Sequence, residues 1–290
     1  MKKISLSSWA IPLELGEFAA GIRKIGYDGI SLGGFKPYGA HPDLVNTPEK
    51  KAALKKTFQD NQLEVADFAV DLWSVDSLRD TQKWLNLYKV FLEFADEMGF
   101  RIIRVDTGTQ AVLPEGMSYN EVIKFFKRTF KEMAQQAAEK KLFVVWEFEP
   151  GFIINEPDNV VDVVKDVAEP NFKLLFDTCH AHNLANGTRH IAPNKVLKGG
   201  IMEFIEMAAN EIGLVHLIDS DGTLNSTGTS THVPFGQGNI DFEKVIPALL
   251  QVGNYQGDWW AIDLCEWPNA WAVAEDGYKF VDALNRKYCK

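Results

Sequence analysis

The sequence predicts one α/β domain, a single (β/α)8 barrel of the TIM type. Eight short β-rich runs alternate with eight longer stretches of helical spacing, and no linker breaks the alternation. The loops after the strands are much longer than the loops before them, as expected when one end of a barrel carries the chemistry. The 290 residues suit one such domain over residues 1–290, since these barrels take roughly 250 residues. A doubly wound open sheet is the rival architecture. It fits less well, because no Gly-rich fingerprint follows the first run and Gly33-Gly34 has no helix immediately behind it.

The units read in order. Ile4–Trp9 is the first strand, with Glu14–Ile25 as its helix. Tyr27–Leu32 is the second, followed by a helix over Pro48–Asn61. Thr47 is placed to cap that helix, and Glu49 in its first turn suits the positive end of the helix dipole. Leu63–Val70 leads to a long helix from Asp76 to Gly99, and Arg101–Asp106 to a helix over Tyr119–Lys140. Leu142–Phe148 precedes Glu156–Val167, and Phe172–Asp177 precedes Gly200–Ile212. Leu214–Ile218 precedes Phe242–Val252, with Asp241 placed as its cap; Asp258–Leu264 precedes a last helix over Asn269–Lys287. Single residues, Gly26, Gln62 and Gly213, join helix to strand. The loops from strand to helix run over 33–46, 107–118, 178–198 and 219–241. In a barrel these long loops gather at the C-terminal end of the strands, where active sites form.

Composition narrows the function. Thirty Lys and Arg against forty Asp and Glu leave a formal charge of −10, which argues against a nucleic-acid partner. No apolar run reaches the ~18 residues of a membrane span, and the N-terminus lacks the apolar core of a signal peptide. Three cysteines without paired spacing, Cys179, Cys265 and Cys289, argue against a disulfide framework and for a reducing, cytoplasmic location.

Polar residues concentrate at four successive strand ends. Glu147, Asp177, His216 and Asp263 occupy equivalent places in the fifth to eighth units. Each alone has a plainer reading: Asp177 as a cap for the next turn, His216 as a hydrogen-bonded core histidine. Together they form a mixed oxygen and nitrogen set that suits Mn2+, Mg2+, Co2+ or Zn2+. Crowded without a cation, the carboxylates would raise one another's pKa. Glu147 and Glu149 point to the same face of their strand. Glu147 lies deeper and is the better ligand; Glu149 fits a place against the substrate. Asp263 lies within the eighth run and Glu266 in the loop beyond it, so Asp263 is the favoured ligand and Glu266 the alternative. Cys179 reads as a small buried residue rather than a nucleophile. Trp73, Trp267 and Phe235 fall in rim loops, where an aromatic side chain can stack on a substrate ring. Gly236-Gln237-Gly238 lacks the context of a phosphate cradle and reads as a loop turning into a helix.

At these residues the chain resembles the sugar phosphate isomerase/epimerase superfamily, the xylose isomerase-like barrels. Glu147-Phe148-Glu149-Pro150 resembles that family's metal-binding glutamate segment. Asp177-Thr178-Cys179-His180 resembles its DT-x-H motif, and His216 its strand-seven histidine. His232 through Gly236-Gln237-Gly238-Asn239-Ile240-Asp241 matches its loop, and His41-Pro42-Asp43-Leu44 is similar to the loop after its second strand. One departure matters: the family's fourth ligand is normally Glu, and here counting puts Asp263 there. AP endonuclease barrels share several of these segments. They also need further histidines on earlier strands and an Asp where this chain has Ser230, and no histidine occurs here between His41 and His180.

The resemblance implies a divalent-metal-dependent isomerase or epimerase of a sugar or polyol-derived keto compound, working by proton transfer through a metal-stabilised enediolate. Glu147 would take the proton, and Asp263 or Glu266 would return it. Glu149 and His180 would position hydroxyls, with His232, Asp106, Arg104 and Trp267 as further substrate contacts. A small sugar-like molecule is the expected partner, with no nucleic acid and no membrane. Arg104 and Lys36 are the only cations near the rim, which does not support a phosphorylated substrate. Aromatics at Trp267 and Trp271 suit either a homo-oligomer contact or a substrate lid. A keto-sugar lyase or dehydratase, an AP-endonuclease-like hydrolase and a non-catalytic sugar-binding barrel are the alternatives.

Overall fold

The computed structural model describes residues 1–37, 39–190 and 195–289. The eight barrel strands are β1 (Lys3–Ser7), β2 (Gly29–Gly33), β3 (Glu64–Ala69), β4 (Ile102–Val105), β5 (Phe143–Glu147), β6 (Phe172–Asp177), β7 (Ile212–Leu217) and β10 (Trp259–Ile262). They pair in parallel and close in the order β1-β10-β7-β6-β5-β4-β3-β2. A separate antiparallel ribbon joins β8 (Asp219–Leu224) to β9 (Ser230–Val233). The helices are α1 (Leu15–Ile25), α2 (Pro48–Asp60), α3 (Thr81–Met98), α4 (Tyr119–Glu139), α5 (Pro157–Val167), α6 (Thr178–Ala185), α7 (Gly200–Met207), α8 (Phe242–Gln251) and α9 (Ala270–Tyr288). Among the described residues, no helix is long and apolar enough to cross a membrane.

Strand alternation sets what each face meets. Leu174 and Phe176 join the large core between strands and helices, whereas Leu175 joins a small second cluster with Ala66, Val145, Leu214 and Trp259. That second cluster fills the barrel interior. Val145 and Glu147, Leu175 and Asp177, and Leu214 and His216 are each two residues apart and share a face. The polar members therefore stand on an apolar floor at the C-terminal end. Gly29 is required under that floor, because a Cβ there would lie 2.5 Å from the Trp259 ring.

Two long loops acquire structure that spacing did not predict. The 178–198 segment begins as α6 directly from β6, with residues 191–194 outside the described part. Asp177 causes this: its Oδ1 accepts the His180 N–H at 2.9 Å and caps the helix. The 219–241 segment folds into the β8–β9 ribbon, which is pinned from below by Asp219. One oxygen of Asp219 accepts from the N–H groups of Gly236 and Gly238, both at 3.0 Å. The other accepts from Ser220 at 2.8 Å and Ile240 at 3.1 Å. The Gly-rich turn is thus a cradle already filled by the chain's own carboxylate.

Smaller differences have local causes. The third helix starts at Thr81 rather than Asp76, because Asp76 Oδ1 accepts from Leu78 N at 3.0 Å and Arg79 N at 3.1 Å and turns the chain first. Thr47 caps α2 as expected, accepting the Lys50 N–H at 3.3 Å. Position 38, within the 33–46 loop, lies outside the described residues.

Candidate metal centre

Strands β5, β6, β7 and β10 are consecutive in the ring, and each delivers one polar side chain to its upper end. Glu147, Asp177, His216 and Asp263 are all buried, and one donor atom from each falls within 4.8 Å of the others. His216 Nδ1 lies 3.1 Å from Glu147 Oε1, 3.7 Å from Asp263 Oδ2 and 3.9 Å from Asp177 Oδ2.

The carboxylates share one design, in which one oxygen is anchored and the other faces the centre. Arg104 Nε donates to Glu147 Oε2 at 2.5 Å. The His180 N–H holds Asp177 Oδ1. Asp263 Oδ1 accepts from Ser7 Oγ at 2.8 Å, Trp9 Nε1 at 3.0 Å and the Cys265 N–H at 3.1 Å. The inward atoms have no such partners: Glu147 Oε1, Asp177 Oδ2 and both His216 nitrogens are buried without a hydrogen bond. Orphaned buried polar atoms are costly, and several converging on one point fit a cation better than any side-chain pairing. The donor set suits a divalent ion of the Mn2+, Mg2+, Co2+ or Zn2+ kind.

The charges are tuned accordingly. Burial disfavours ionisation of Glu147, but Arg104 and His216 outweigh it and hold the group well below the usual carboxylate range. Burial also disfavours the His216 cation, yet Glu147 and Asp263 raise it to about 9. Burial pushes Asp177 up to about 6. Burial and the Glu147 charge push Glu149 up to about 8.

Above the cluster opens a cavity of about 410 Å³. Glu147, Glu149, Arg104, His180, His232, Asp263 and Glu266 all line it. His180 Nδ1 shares a 2.9 Å hydrogen bond with Ser230 Oγ. The β8–β9 ribbon brings His232 to the centre, with Nδ1 3.8 Å from Asp263 Oδ2 and Nε2 3.9 Å from Asp177 Oδ1. Both His232 nitrogens are unpartnered, and Asp177, His180 and His232 form a second ligand-like group. Thr229 on the ribbon's approach donates to Glu149 Oε2 at 2.7 Å.

Of the other expected contacts, Arg104 and Glu266 line the cavity, whereas Asp106, Trp267 and Lys36 do not. Asp106 is fully buried and does not line the cavity; it accepts from the Trp73 indole and from the Gly108 N–H at 2.7 Å. Arg104 serves as a brace, its guanidinium shared among Glu147, Glu149 (3.1 Å) and Asp106 (3.7 Å). Glu266 stays at the exposed mouth, accepting from Asn225 Nδ2 at 2.6 Å, outside the ligand group. Trp267 packs on the main core and does not line the cavity, and Phe235 stacks on Phe280 at 4.6 Å. Lys36 pairs with Asp43 at 2.5 Å away from the lining.

Several lining or supporting residues carried no flag in the sequence reading. Ser7 and Trp9 stand at the end of the first strand, the same place in their unit as the carboxylates in theirs, and that position was the available signal. Phe35 and Phe152 come from strand-to-helix loops. Asp67 is turned by an irregularity in which Ile30 faces Val65 and Ser31 faces Asp67, leaving Ala66 as an extra residue. It is buried, accepts from Ser31 Oγ at 2.5 Å and leaves Oδ2 unpartnered. No periodicity argument anticipates that bulge.

Comparison with known proteins places this geometry. The family described as xylose isomerase-like TIM barrel matches residues 19–284. Uncharacterized protein MJ1311 of Methanocaldococcus jannaschii is 26% identical over 172 residues, 57% of this chain; the match spans about half (52%) of that protein's length. Among solved structures, an IolI protein with a bound zinc atom superposes with a TM-score of 0.76 at 18% identity, covering 99% of both chains. D-psicose 3-epimerase with D-tagatose, from Clostridium cellulolyticum H10, gives 0.74 at 14% identity, again over 99% of both. A D-tagatose 3-epimerase-like protein gives 0.71 at 21% identity, over 98% of this chain and 99% of that one. At such identities these likenesses establish the fold, and with the family match over most of the sequence the conclusion is direct: the chain belongs to the xylose isomerase-like TIM barrel family.

Proposed function

We propose that this protein is a divalent-metal-dependent epimerase or isomerase of an uncharged keto-sugar or polyol-derived keto compound. The observation that carries the reading is the convergence of Glu147, Asp177, His216 and Asp263, the first three with unpartnered buried atoms and Asp263 with Oδ2 3.7 Å from His216 Nδ1. When bound there, a divalent cation supplies Lewis acidity to a carbonyl oxygen and its neighbouring hydroxyl, and so acidifies the C–H between them.

The chain's own residues do the rest. Glu147 is held ionised near neutral pH and takes the proton from one side. Asp263, from a strand three places away in the ring of eight, would deliver a proton of its own from the other side, and the two carboxyls would then exchange protons with solvent before the next turnover. Return to the same carbon inverts it, and return to the next carbon moves the carbonyl. His180 and Glu149 orient hydroxyls. Glu149, pushed up to about 8 by burial and the Glu147 charge, takes up a proton more readily than an ordinary carboxyl, and Arg104 and Thr229 hold its two oxygens in place. Glu266, which accepts from Asn225 and Thr227 at the mouth and lies outside the ligand group, is not assigned the proton return in this reading.

Substrate charge follows from compensation. Among the described lining residues Arg104 is the sole Lys or Arg, and three carboxylates already share it. A phosphate or carboxylate on the substrate would find no uncompensated Lys or Arg among the described lining residues. An eliminating lyase would use the same residues and differ only in the product.

Metal content of protein purified without added metal, followed by C–H exchange with D2O across a panel of neutral keto-sugars, tests the reading. Expected are near-stoichiometric metal, exchange with at least one ketose, and loss of metal in Glu147→Gln and Asp177→Asn. Metal retained by both variants would remove the proposed site. Metal without exchange on any ketose would remove proton transfer and favour a binding role.

A further inference from the structure

We infer that the cavity holds a second sugar ring beside the reacting one, stacked on Trp73, so that the substrate is a keto-disaccharide or related glycoside rather than a free monosaccharide. The inference rests on the keto-sugar reading above and deepens it.

The cavity has two tiers. Its floor is formed by Glu147, His180, His232 and Asp263, all buried. Its mouth is formed by aromatic rings and exposed polar side chains. About 410 Å³ lies within the range of roughly 300–1,000 Å³ that accommodates ligands of drug size. One ring engaged by the floor leaves the mouth unfilled.

Trp73 is the main feature of that mouth. It is 51% exposed, an uncommon condition for the largest apolar side chain. Yet it is held in place, since its indole N–H donates to the buried Asp106 and the Arg104 guanidinium lies 5.9 Å from its ring centre. Phe35 and Phe152 flank it at 5.9 Å each, inclined at 50° and 80°, so neither covers it face-on. A rigid aromatic ring presented to solvent inside a cavity is a preorganised stacking platform.

The remaining lining of the mouth decides the kind of ring. Gln110, Thr227 and Glu266 are exposed and polar. Glu266 adopts a left-handed backbone (φ 57°) that a non-glycine residue rarely takes, and it aims its carboxylate at Asn225 and Thr227 across the mouth. Apolar faces on one wall and hydrogen-bonding groups on the others match a pyranose, with its C–H face and equatorial hydroxyls, better than an aryl group.

Affinity measurements on the Mn2+-loaded full-length protein test this. The probes are D-fructose, the fructose-terminated disaccharides lactulose, maltulose and isomaltulose, and 4-nitrophenyl β-D-glucoside. At least one disaccharide should bind about tenfold or more tighter than D-fructose, and Trp73→Ala should bring that ratio to about one. The ratio divides out any general loss in the variant. Saturation-transfer NMR on the unaltered protein provides a second readout, in which protons of the non-fructose ring should receive strong saturation. Equal affinities, an advantage that survives Trp73→Ala, no disaccharide binding, saturation confined to the fructose ring, or an advantage for the aryl glycoside alone would each overturn the inference. The two readings fail separately: absent D2O exchange with the affinity ratio intact removes the catalytic proposal and leaves the second-ring site.

Discussion

Arg104 donates to one oxygen of Glu147 at 2.5 Å, and the other oxygen of that carboxylate lies 3.1 Å from His216 Nδ1. Both partners favour the ionised form of Glu147, and Glu147 in turn favours the charged forms of Arg104 and His216. Arg104→Met should therefore leave Glu147 and Glu149 buried without their cation and cost about 3–5 kcal/mol. Chemical denaturation of the metal-free protein measures this, and added Mn2+ should restore part of the loss. An unchanged midpoint would mean that Arg104 is not the compensating charge.

Ser7 and Trp9 supply two of the three donors to Asp263 Oδ1. Removing both, as Ser7→Ala with Trp9→Phe, frees the carboxylate to rotate. Metal affinity should fall by about 10–100-fold, the usual consequence of losing the groups that orient a ligand. Stability should fall by only about 1 kcal/mol per lost hydrogen bond. Calorimetric titration with Mn2+ beside a thermal melt separates the two effects.

The pH dependence of the metal-free protein has a defined sign. His216 is raised from its ordinary 6.5 to about 9: burial opposes the charge, and Glu147 and Asp263 outweigh it. The folded state then keeps a proton that the unfolded chain releases. That contribution is complete below pH 6.5 and lost as pH rises through about 9. Asp177 and Asp67, raised by burial from 3.8 to about 6, act in the same sense over their lower window. Burial lowers His180, His41 and His182 below 6.5, which opposes that trend at acid pH, so the melting temperature without metal should fall as pH climbs from about 7 to 9, where His216 and Glu149 lose their protons. A saturating divalent ion replaces those protons, so it should flatten the curve, and its affinity should rise with pH over the same range. A flat metal-free curve would contradict the assignment.

Gly238 and Asp219 offer a test of the ribbon. A Cβ at Gly238 would lie 2.3 Å from Asp219 Oδ1. Gly238→Ala should shift the turn, cost about 2 kcal/mol and displace His232. Asp219→Asn should cost about 1–3 kcal/mol, because an amide cannot accept all four N–H groups that the carboxylate now satisfies. Histidine NMR signals report the displacement directly, and an unmoved His232 resonance would count against the coupling.

Much of the architecture was readable from local pattern. Thr47 before Pro48 marked a helix start, and single-residue joints at Gly26 and Gln62 against long loops at 33–46 and 107–118 identified the end that carries the chemistry. Strand parity put Glu147 above Val145 and Asp177 above Leu175, so convergence of side chains from neighbouring strands followed once the ring closed. What spacing did not convey was which long loops fold. Asp177 was legible as a cap or as a ligand, and its two oxygens do the first job and face the second.

The sequence alone determined one barrel, the end that carries the polar residues, and the strands that supply them. Those properties depend on period, parity and loop length, which are local. The tertiary structure decided which oxygen of each carboxylate is anchored, that Asp263 rather than Glu266 joins the cluster, and that Arg104 is shared among Glu147, Glu149 and Asp106. It also decided that Trp73 stays exposed while Trp267 packs away. These outcomes depend on partners such as Ser7 and Asp263, separated by 256 positions in the chain and brought to 2.8 Å only when β1 and β10 close the barrel.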